Sequence, residues 1–121
     1  MKITRFEDIE GWKAARRLAH SVSSATRDRV VFPDRDLVRQ MRKCAISSMA
    51  NIVEGFDSGT NREFVRFLRI AYRSASELQS HLHVALDEHF VDQRNFDSLY
   101  SQAHETKARI GGFMRYLKSL K

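Results

Sequence analysis

Residues 60–89 read TNREFVRFLRIAYRSASELQSHLHVALDEH and decide the fold. Apolar residues recur here every three or four positions, from Phe64 to Leu86, which is the spacing of one face of an α-helix. Thr60 precedes Glu63 by three residues, as in a capping box that starts a helix. The pattern predicts a helix roughly 40 Å long at about 1.5 Å per residue. So long a helix in a chain of 121 residues must lie beside others of similar length.

The same period recurs in three other segments. They predict further helices near 8–26, 34–54 and 92–118. Pro33 interrupts the helical pattern between the first and second helices, and Asp92 is a suitable N-cap for the fourth helix. Since short connections make successive helices antiparallel, we expect one domain over residues 1–121, an all-α, up-down-up-down four-helix bundle.

Composition excludes several classes of protein. Apolar residues make up 42% and charged residues 30%, as in ordinary globular proteins. The single Cys44 argues against an internal disulfide and a cysteine-based zinc site. No apolar run is long enough to span a membrane, and charges occupy the N-terminus where a signal peptide needs apolar residues. We therefore expect a cytoplasmic protein that does not associate with membranes.

Charge is segregated along the chain. The net charge is +6, and 15 of the 21 basic residues are arginine, whose planar donor fork suits phosphate and carboxylate. Counting residues gives +4 for 35–73, −5 for 74–105 and +5 for 106–121. This distribution suggests a surface for polyanions and a separate acidic surface. Solvated helix faces on a basic protein would give the same numbers.

Two rows of bases carry the strongest functional signal. They repeat at helical spacing and consist of Arg35, Arg39, Arg42 and Lys43 in the second helix and Arg62, Arg66, Arg69 and Arg73 in the third. Like charges four residues apart repel, so such a row favours a partner that neutralises it. Phosphates of RNA or DNA would do so, as would carboxylates of this chain or of a neighbouring subunit. Plain solvated charge is the third reading.

The second helix is apolar on two faces. Besides the stripe of Leu37, Met41 and Ile52, it carries an outer set that consists of Ile46, Met49, Ala50 and Val53. A helix with two apolar faces is buried on both, and a four-helix monomer offers nothing to cover the second. We therefore predict a homo-oligomer with Ile46, Met49 and Val53 in its interface. A more central position of this helix in the bundle is the alternative.

No constellation supports an enzyme or a cofactor. Nucleophile elbows, P-loops and dinucleotide-binding motifs are absent from the sequence. His83 and Asp87 are spaced four apart, but without an HExxH pattern we predict no metal site. Asn51 and Glu54 lie inside the second helix, where we expect polar contacts between helices. Gly55 stands where a helix-ending residue with positive φ is expected.

Several segments resemble a known family. They are FEDIEGWKAAR (6–16, with Trp12), QMRKCAIS (40–47), NIVEGF (51–56), EFVRFLRIA (63–71) and SASEL (74–78). Together they resemble the four-helix-bundle proteins encoded in intervening sequences of 23S ribosomal RNA genes. The accessory variability determinant proteins of diversity-generating retroelements are similar in fold. NIVEG and FVRFLRIA are the most specific segments, and Trp12, Asn51, Glu54 and Gly55 belong to the shared motifs.

The resemblance implies a small bacterial protein that assembles as a barrel-like, ring-shaped homopentamer without established enzymatic activity. The retroelement members bind nucleic acid and associate with a reverse transcriptase, so both become candidate partners besides further copies of the chain. Two hypotheses follow. The first is a non-enzymatic oligomer that binds RNA or DNA electrostatically, as an accessory factor in RNA or retroelement biology. The second is a protein-binding scaffold, for example for a reverse transcriptase, whose arginines form structural salt bridges.

Overall fold

Four long helices account for most of the chain. The computed structural model describes residues 3–120. A short 3-10 turn precedes the helices, and the elements are Phe6–Asp8 for the turn, Glu10–Ala25 for α1, Arg35–Phe56 for α2, Asn61–Asp87 for α3 and Gln93–Ser119 for α4. Within residues 3–120 there is no strand. The predicted all-α, four-helix fold is confirmed.

The helices run antiparallel around a closed square. Each packs against its two neighbours, in the order α1, α2, α3, α4 and back to α1. On the α2–α3 side, Ser48 near the middle of α2 donates a hydrogen bond of 3.1 Å to the Ala71 carbonyl, and Gly55 near its end meets Phe64 near the start of α3. The N-terminal half of α3 therefore lies beside the C-terminal half of α2 and, by the same antiparallel rule, beside the C-terminal half of α4.

Side-chain caps start three of the helices. The side chains of Asp34, Thr60 and Asp92 accept hydrogen bonds from the backbone N–H groups of Leu37, Glu63 and Asn95, at 3.0, 3.1 and 2.7 Å. Each cap satisfies a donor that the first turn of a helix leaves free. The first residues of α2, α3 and α4 consequently lie within one residue of their predicted positions.

Gly55 does not end α2 with a positive φ, so that prediction was wrong. The helix continues to Phe56, and the positive-φ residues between 3 and 120 are Gly59 and His89. Gly55 is buried because α3 approaches closely: a Cβ placed there would lie 2.6 Å from Cδ1 of Phe64. The glycine therefore provides space for an aromatic ring.

His89 takes the left-handed role at the end of α3. Its φ is 63°, and the backbone N–H groups of Phe90 and His89 donate to the carbonyls of Ala85 and Leu86, at 2.9 and 3.0 Å. This is a Schellman motif, in which glycine is the usual residue. It ends the helix at Asp87, two residues before the predicted end.

The core consists of two apolar clusters at opposite ends of the bundle. One contains Phe32, Met41 and Leu82, and the other contains Ile52, Leu68 and Ile110. Polar side chains connect α2 and α3 between them. The hydroxyls of Ser47 and Ser74 lie 3.0 Å apart, and Ser48 reaches across to α3.

The polar contacts expected of Asn51 and Glu54 are made by other residues. The Asn51 amide donates to the carbonyl and hydroxyl of Ser47 within α2, at 2.9 and 3.1 Å. Glu54 is exposed on the outer side of α2. Hydroxyl groups of Ser47, Ser48 and Ser74 make the polar contacts between α2 and α3 instead.

Candidate nucleic-acid interface

The α3 row of arginines faces directly away from the core. Arg62, Arg66, Arg69 and Arg73 are all exposed, whereas Phe64, Leu68, Ala71 and Ala75 on the other side of the helix are buried. This arrangement follows from the period of 3.6 residues, which places the two sets on opposite sides of one helix. The predicted position of the row is therefore correct.

One member of the row is paired with a carboxylate. Arg66 contacts Glu63 through Nε and Nη2, both at 3.2 Å, and its guanidinium lies 4.5 Å from the centroid of the Phe67 ring. Within residues 3–120, Arg62, Arg69 and Arg73 have no carboxylate within 4 Å. An exposed pair such as Arg66–Glu63 contributes little to stability, so most of the row's charge is available to a partner.

Helix α4 adds two bases beside the row. Arg69 and Lys118 together line two adjoining depressions between α3 and α4. One also contains Arg62, Glu63 and Arg66, and the other contains Tyr72 and Arg115. Five cationic side chains thus surround a groove that contains one carboxylate. We call this the α3–α4 basic groove and define it by Arg62, Arg66, Arg69, Arg115 and Lys118.

Arg115 and Lys118 were not among the site residues predicted from sequence. The signal was present, since residues 106–121 carry five bases and no acid. What was missing was the partner, because the sequence does not say which helix the end of α4 lies beside. The antiparallel order settles it, and the basic end of α4 meets the basic start of α3.

The structure separates the α2 row from the α3 row. Cys44 of α2 lies level with Glu77 and His81 of α3, so Arg39–Lys43 lie beside the C-terminal half of α3. At about 1.5 Å per residue, they are about 20 Å along the bundle from the centre of the α3 row. The two rows therefore do not form one surface on a single chain.

Members of the α2 row also have different environments. Arg35 is half-buried and donates from Nη1 to the carbonyls of Thr26 and Phe32, at 2.8 and 3.0 Å. Arg39 forms an ion pair with Asp36, and Arg42 and Lys43 are exposed. Because the Arg35 guanidinium donates to two backbone carbonyls, it stabilises the connection between α1 and α2 and is not free to bind a partner.

In a larger depression on α1, most of the basic side chains are paired with carboxylates. It contains Trp12, which is half-buried and packs edge-on against Phe6 with centroids 5.2 Å apart. Three of its four arginine and lysine side chains lie close to carboxylates, in the pairs Arg5 with Glu7, Lys13 with Glu10, and Arg17 with Glu105. The fourth, Arg16, lies 5.8 Å from the centroid of the Trp12 ring. Paired cations attract phosphate less than free ones, so this depression is a weaker candidate than the α3–α4 basic groove.

The outer face of α2 exposes apolar side chains. Ile46 is 54% exposed and Ala50 is exposed, while Met49 and Val53 are half-buried. Met49 also packs against the apolar cluster that contains Ile52 and Leu68. Exposed apolar side chains that lie next to one another form a patch, and such patches are typical of protein–protein contact surfaces.

Outside the α3–α4 basic groove, the side chains of Cys44, Glu77 and His81 lie close together where α2 contacts α3. Burial, followed by the charge of Glu77, raises the pKa of the Cys44 thiol to about 11. The ring of His83, four residues before Asp87 on α3, packs against Phe96 and Tyr100, with centroids at 5.0 and 5.6 Å. No helix within residues 3–120 is long and apolar enough to cross a membrane.

The sequence matches a family model over residues 7–112, which is most of the chain. The model is that of the 23S rRNA-intervening sequence proteins. The chain belongs to this family. The match covers α1, α2, α3 and most of α4.

A solved structure shares the fold of this family member. It is a protein from Bacteroides thetaiotaomicron described as having unknown function and as belonging to the S23 ribosomal protein family. The two chains are 16% identical with a TM-score of 0.77, over 86% of this chain and 97% of the other. Such a likeness concerns the fold alone. No curated protein matches the sequence significantly.

Proposed function

We propose that this family member is a non-enzymatic, oligomeric protein that binds the phosphate backbone of RNA or DNA through the α3–α4 basic groove. The observation that supports it is the convergence of five cationic side chains on one groove with a single carboxylate. Phosphate contacts of this kind give affinity without reading sequence. The protein would act in the cytoplasm as an accessory factor in RNA or retroelement biology.

Assembly strengthens the proposal. A homo-oligomer, a pentamer as the family resemblance implies, repeats the groove once per subunit. One long nucleic acid contacting several grooves gains affinity through effective concentration. Tyr72, which is 37% exposed, is the aromatic residue among the groove's lining. With so few aromatic surfaces for base stacking, we expect low sequence preference.

A protein-binding scaffold is the second candidate, and the exposed apolar face of α2 favours it. A reverse transcriptase is the partner that the resemblance suggests. In this reading the arginines serve the fold, as Arg35 does through its two carbonyl contacts. The two candidates differ in the role that they give to Arg62, Arg69 and Lys118, whose side chains make no ion pair with any other residue between 3 and 120.

The test neutralises unpaired bases of the groove. We expect the Arg69→Gln, Lys118→Gln double variant to bind single-stranded RNA more weakly, by roughly tenfold per lost contact at about 0.05 M salt. The slope of log affinity against log salt should become less steep by about 0.7 per contact. Binding is measured by fluorescence anisotropy over a salt series, with duplex DNA as a second ligand.

The matched control is Arg42→Gln with Lys43→Gln, which removes the same charge from exposed positions on α2. It should weaken binding much less, while both variants keep the melting temperature and the oligomer mass of the unmodified protein. Equal losses in the two variants would place binding in the net charge rather than the groove. Absence of binding by the unmodified protein at low salt would end the proposal and leave the scaffold.

A further inference from the structure

Cys44 lies at the contact between α2 and α3 beside two other side chains that can bind metal. Its Sγ, a carboxylate oxygen of Glu77 and a ring nitrogen of His81 all lie within 4.8 Å of one another. Glu77 and His81 are four residues apart and therefore project from one face of α3, while Cys44 meets them from α2. Thiolate, imidazole and carboxylate are the ligand types that zinc uses in proteins.

We propose that Cys44, Glu77 and His81 form a binding site for Zn²⁺, with water as the fourth ligand. The donor set selects the metal. A thiolate and an imidazole favour zinc over magnesium or calcium, which prefer oxygen ligands throughout. Three protein ligands and one open position are a recurring zinc arrangement.

The site needs only small side-chain movements to close. Tetrahedral zinc with bonds of about 2.0 to 2.3 Å places its ligand atoms roughly 3.3 to 3.8 Å apart. Since the three donor atoms all lie within 4.8 Å of one another, each pair must approach by at most about 1 to 1.5 Å. Cys44 is buried and fixed by packing, whereas Glu77 is exposed and His81 is half-buried. The two α3 side chains can adjust by rotation while both helices stay in place.

Zinc binding must displace the proton of the Cys44 thiol. Without a cation, the buried thiol beside Glu77 keeps its proton at neutral pH, so it is not a nucleophile. On binding, the Cys44 S–H bond breaks, the proton passes to the buffer, and the sulfur forms a bond to zinc. The doubly charged ion then balances one thiolate and one carboxylate. This site lies outside the α3–α4 basic groove and does not depend on its function.

Cobalt provides a direct test of the thiolate ligand. Chelator-treated protein titrated with Co²⁺ should develop a thiolate-to-cobalt charge-transfer absorption that saturates at one ion per chain and disappears when Zn²⁺ is added. Cys44 is the single cysteine, so the absorption reports on this site alone. Isothermal titration with Zn²⁺ then gives the affinity.

Variants assign the other two ligands. Cys44→Ser should abolish the absorption, and Glu77→Gln or His81→Ala should each weaken Zn²⁺ binding on the order of 100-fold, since even partners outside the ligand shell contribute up to that much. Glu77 is exposed, so Glu77→Gln folds normally and keeps the test valid. His83→Ala, which changes a histidine two residues from His81, is the matched control and should bind normally.

Three results would overturn the proposal. The first is an unmodified protein that develops no charge-transfer absorption with Co²⁺. The second is Zn²⁺ binding that Cys44→Ser and Glu77→Gln leave unchanged. The third is loss of binding in His83→Ala with retention in His81→Ala, which would place the ion on the other side of α3.

Discussion

Gly55 and Gly112 both lie inside helices, but they differ in the space available for a side chain. A Cβ at Gly55 would lie 2.6 Å from Cδ1 of Phe64 and 3.0 Å from Cβ of Phe67. The Phe64 ring cannot move freely, because it packs edge-on against Phe56 and Phe113 with centroids at 6.3 and 5.2 Å. Gly112 has ordinary space around it, with the nearest heavy atom 3.9 Å from a Cβ placed there.

We therefore expect Gly55→Ala to destabilise the protein by about 1 to 2 kcal/mol, since overpacking costs about 1 to 3 and the better helix propensity of alanine returns up to about 1. Gly112→Ala gains the propensity without the clash and should stabilise by up to about 1 kcal/mol. Urea denaturation at one fixed protein concentration measures both. A Gly55→Ala variant as stable as the Gly112→Ala variant would refute the packing argument.

Among the elements, the α1–α2 connection depends on one side chain. Arg35 donates to the Thr26 and Phe32 carbonyls, and Phe32 itself is fully buried against Phe90, with centroids 5.0 Å apart. The arginine thus holds the loop that places an aromatic anchor in the core. Arg39, one turn further along α2, forms an exposed pair with Asp36.

Arg35→Ala should consequently lower the free energy of unfolding by about 1.5 to 3 kcal/mol, the range for hydrogen bonds to a charged group. Arg39→Ala removes the same charge from an exposed pair and should change it by less than about 1 kcal/mol. Thermal unfolding of the two variants side by side makes the comparison. Equal stabilities would mean that the loop is held by Phe32 alone, and that Arg35 is available to a ligand after all.

The starts of the helices could be predicted because they depend on local side chains. Features that depend on the distance between two helices could not be predicted from the sequence. Asp34, Thr60 and Asp92 cap from their own side chains, so the sequence contains the starts of three helices. The role of Gly55 depends on the approach of Phe64 from another helix, which no local pattern encodes. The end of α3 could not be predicted for a different reason. It depends on a positive φ at His89, and a positive φ is uncommon for a residue other than glycine.

The same division applies to the candidate site. The α3 row was predictable because helical period alone turns Arg62, Arg66, Arg69 and Arg73 away from the core. The sequence does not give the register between helices. That register places Arg115 and Lys118 beside the row and places Arg42 and Lys43 away from it. Periodicity says which face a residue occupies, and only the three-dimensional arrangement says what lies beside that face.

At the scale of the whole molecule, the two ends of the bundle differ in charge as well as in core. The α3–α4 basic groove occupies the end that contains the start of α3, and the acidic stretch 74–105 occupies the other. Arg42 and Lys43 of α2 lie beside that acidic end. Copies related by rotation about an axis parallel to the helices would therefore present their basic grooves together at one end, where a polyanion could contact several.

The proposed assembly uses the outer face of α2. Ile46 contributes little to the folded chain, since it is 54% exposed there, so Ile46→Glu should leave helix content unchanged. Buried in an interface, the introduced carboxylate would be desolvated without a partner, and we expect light scattering at micromolar concentration to give a smaller mass than that of the unmodified protein. Val84→Glu, at a site 46% exposed on α3, is the matched control and should assemble normally. Equal masses for unmodified protein and Ile46→Glu would move the interface elsewhere. A monomeric unmodified protein would exclude self-assembly, and a dimer would exclude only the number five.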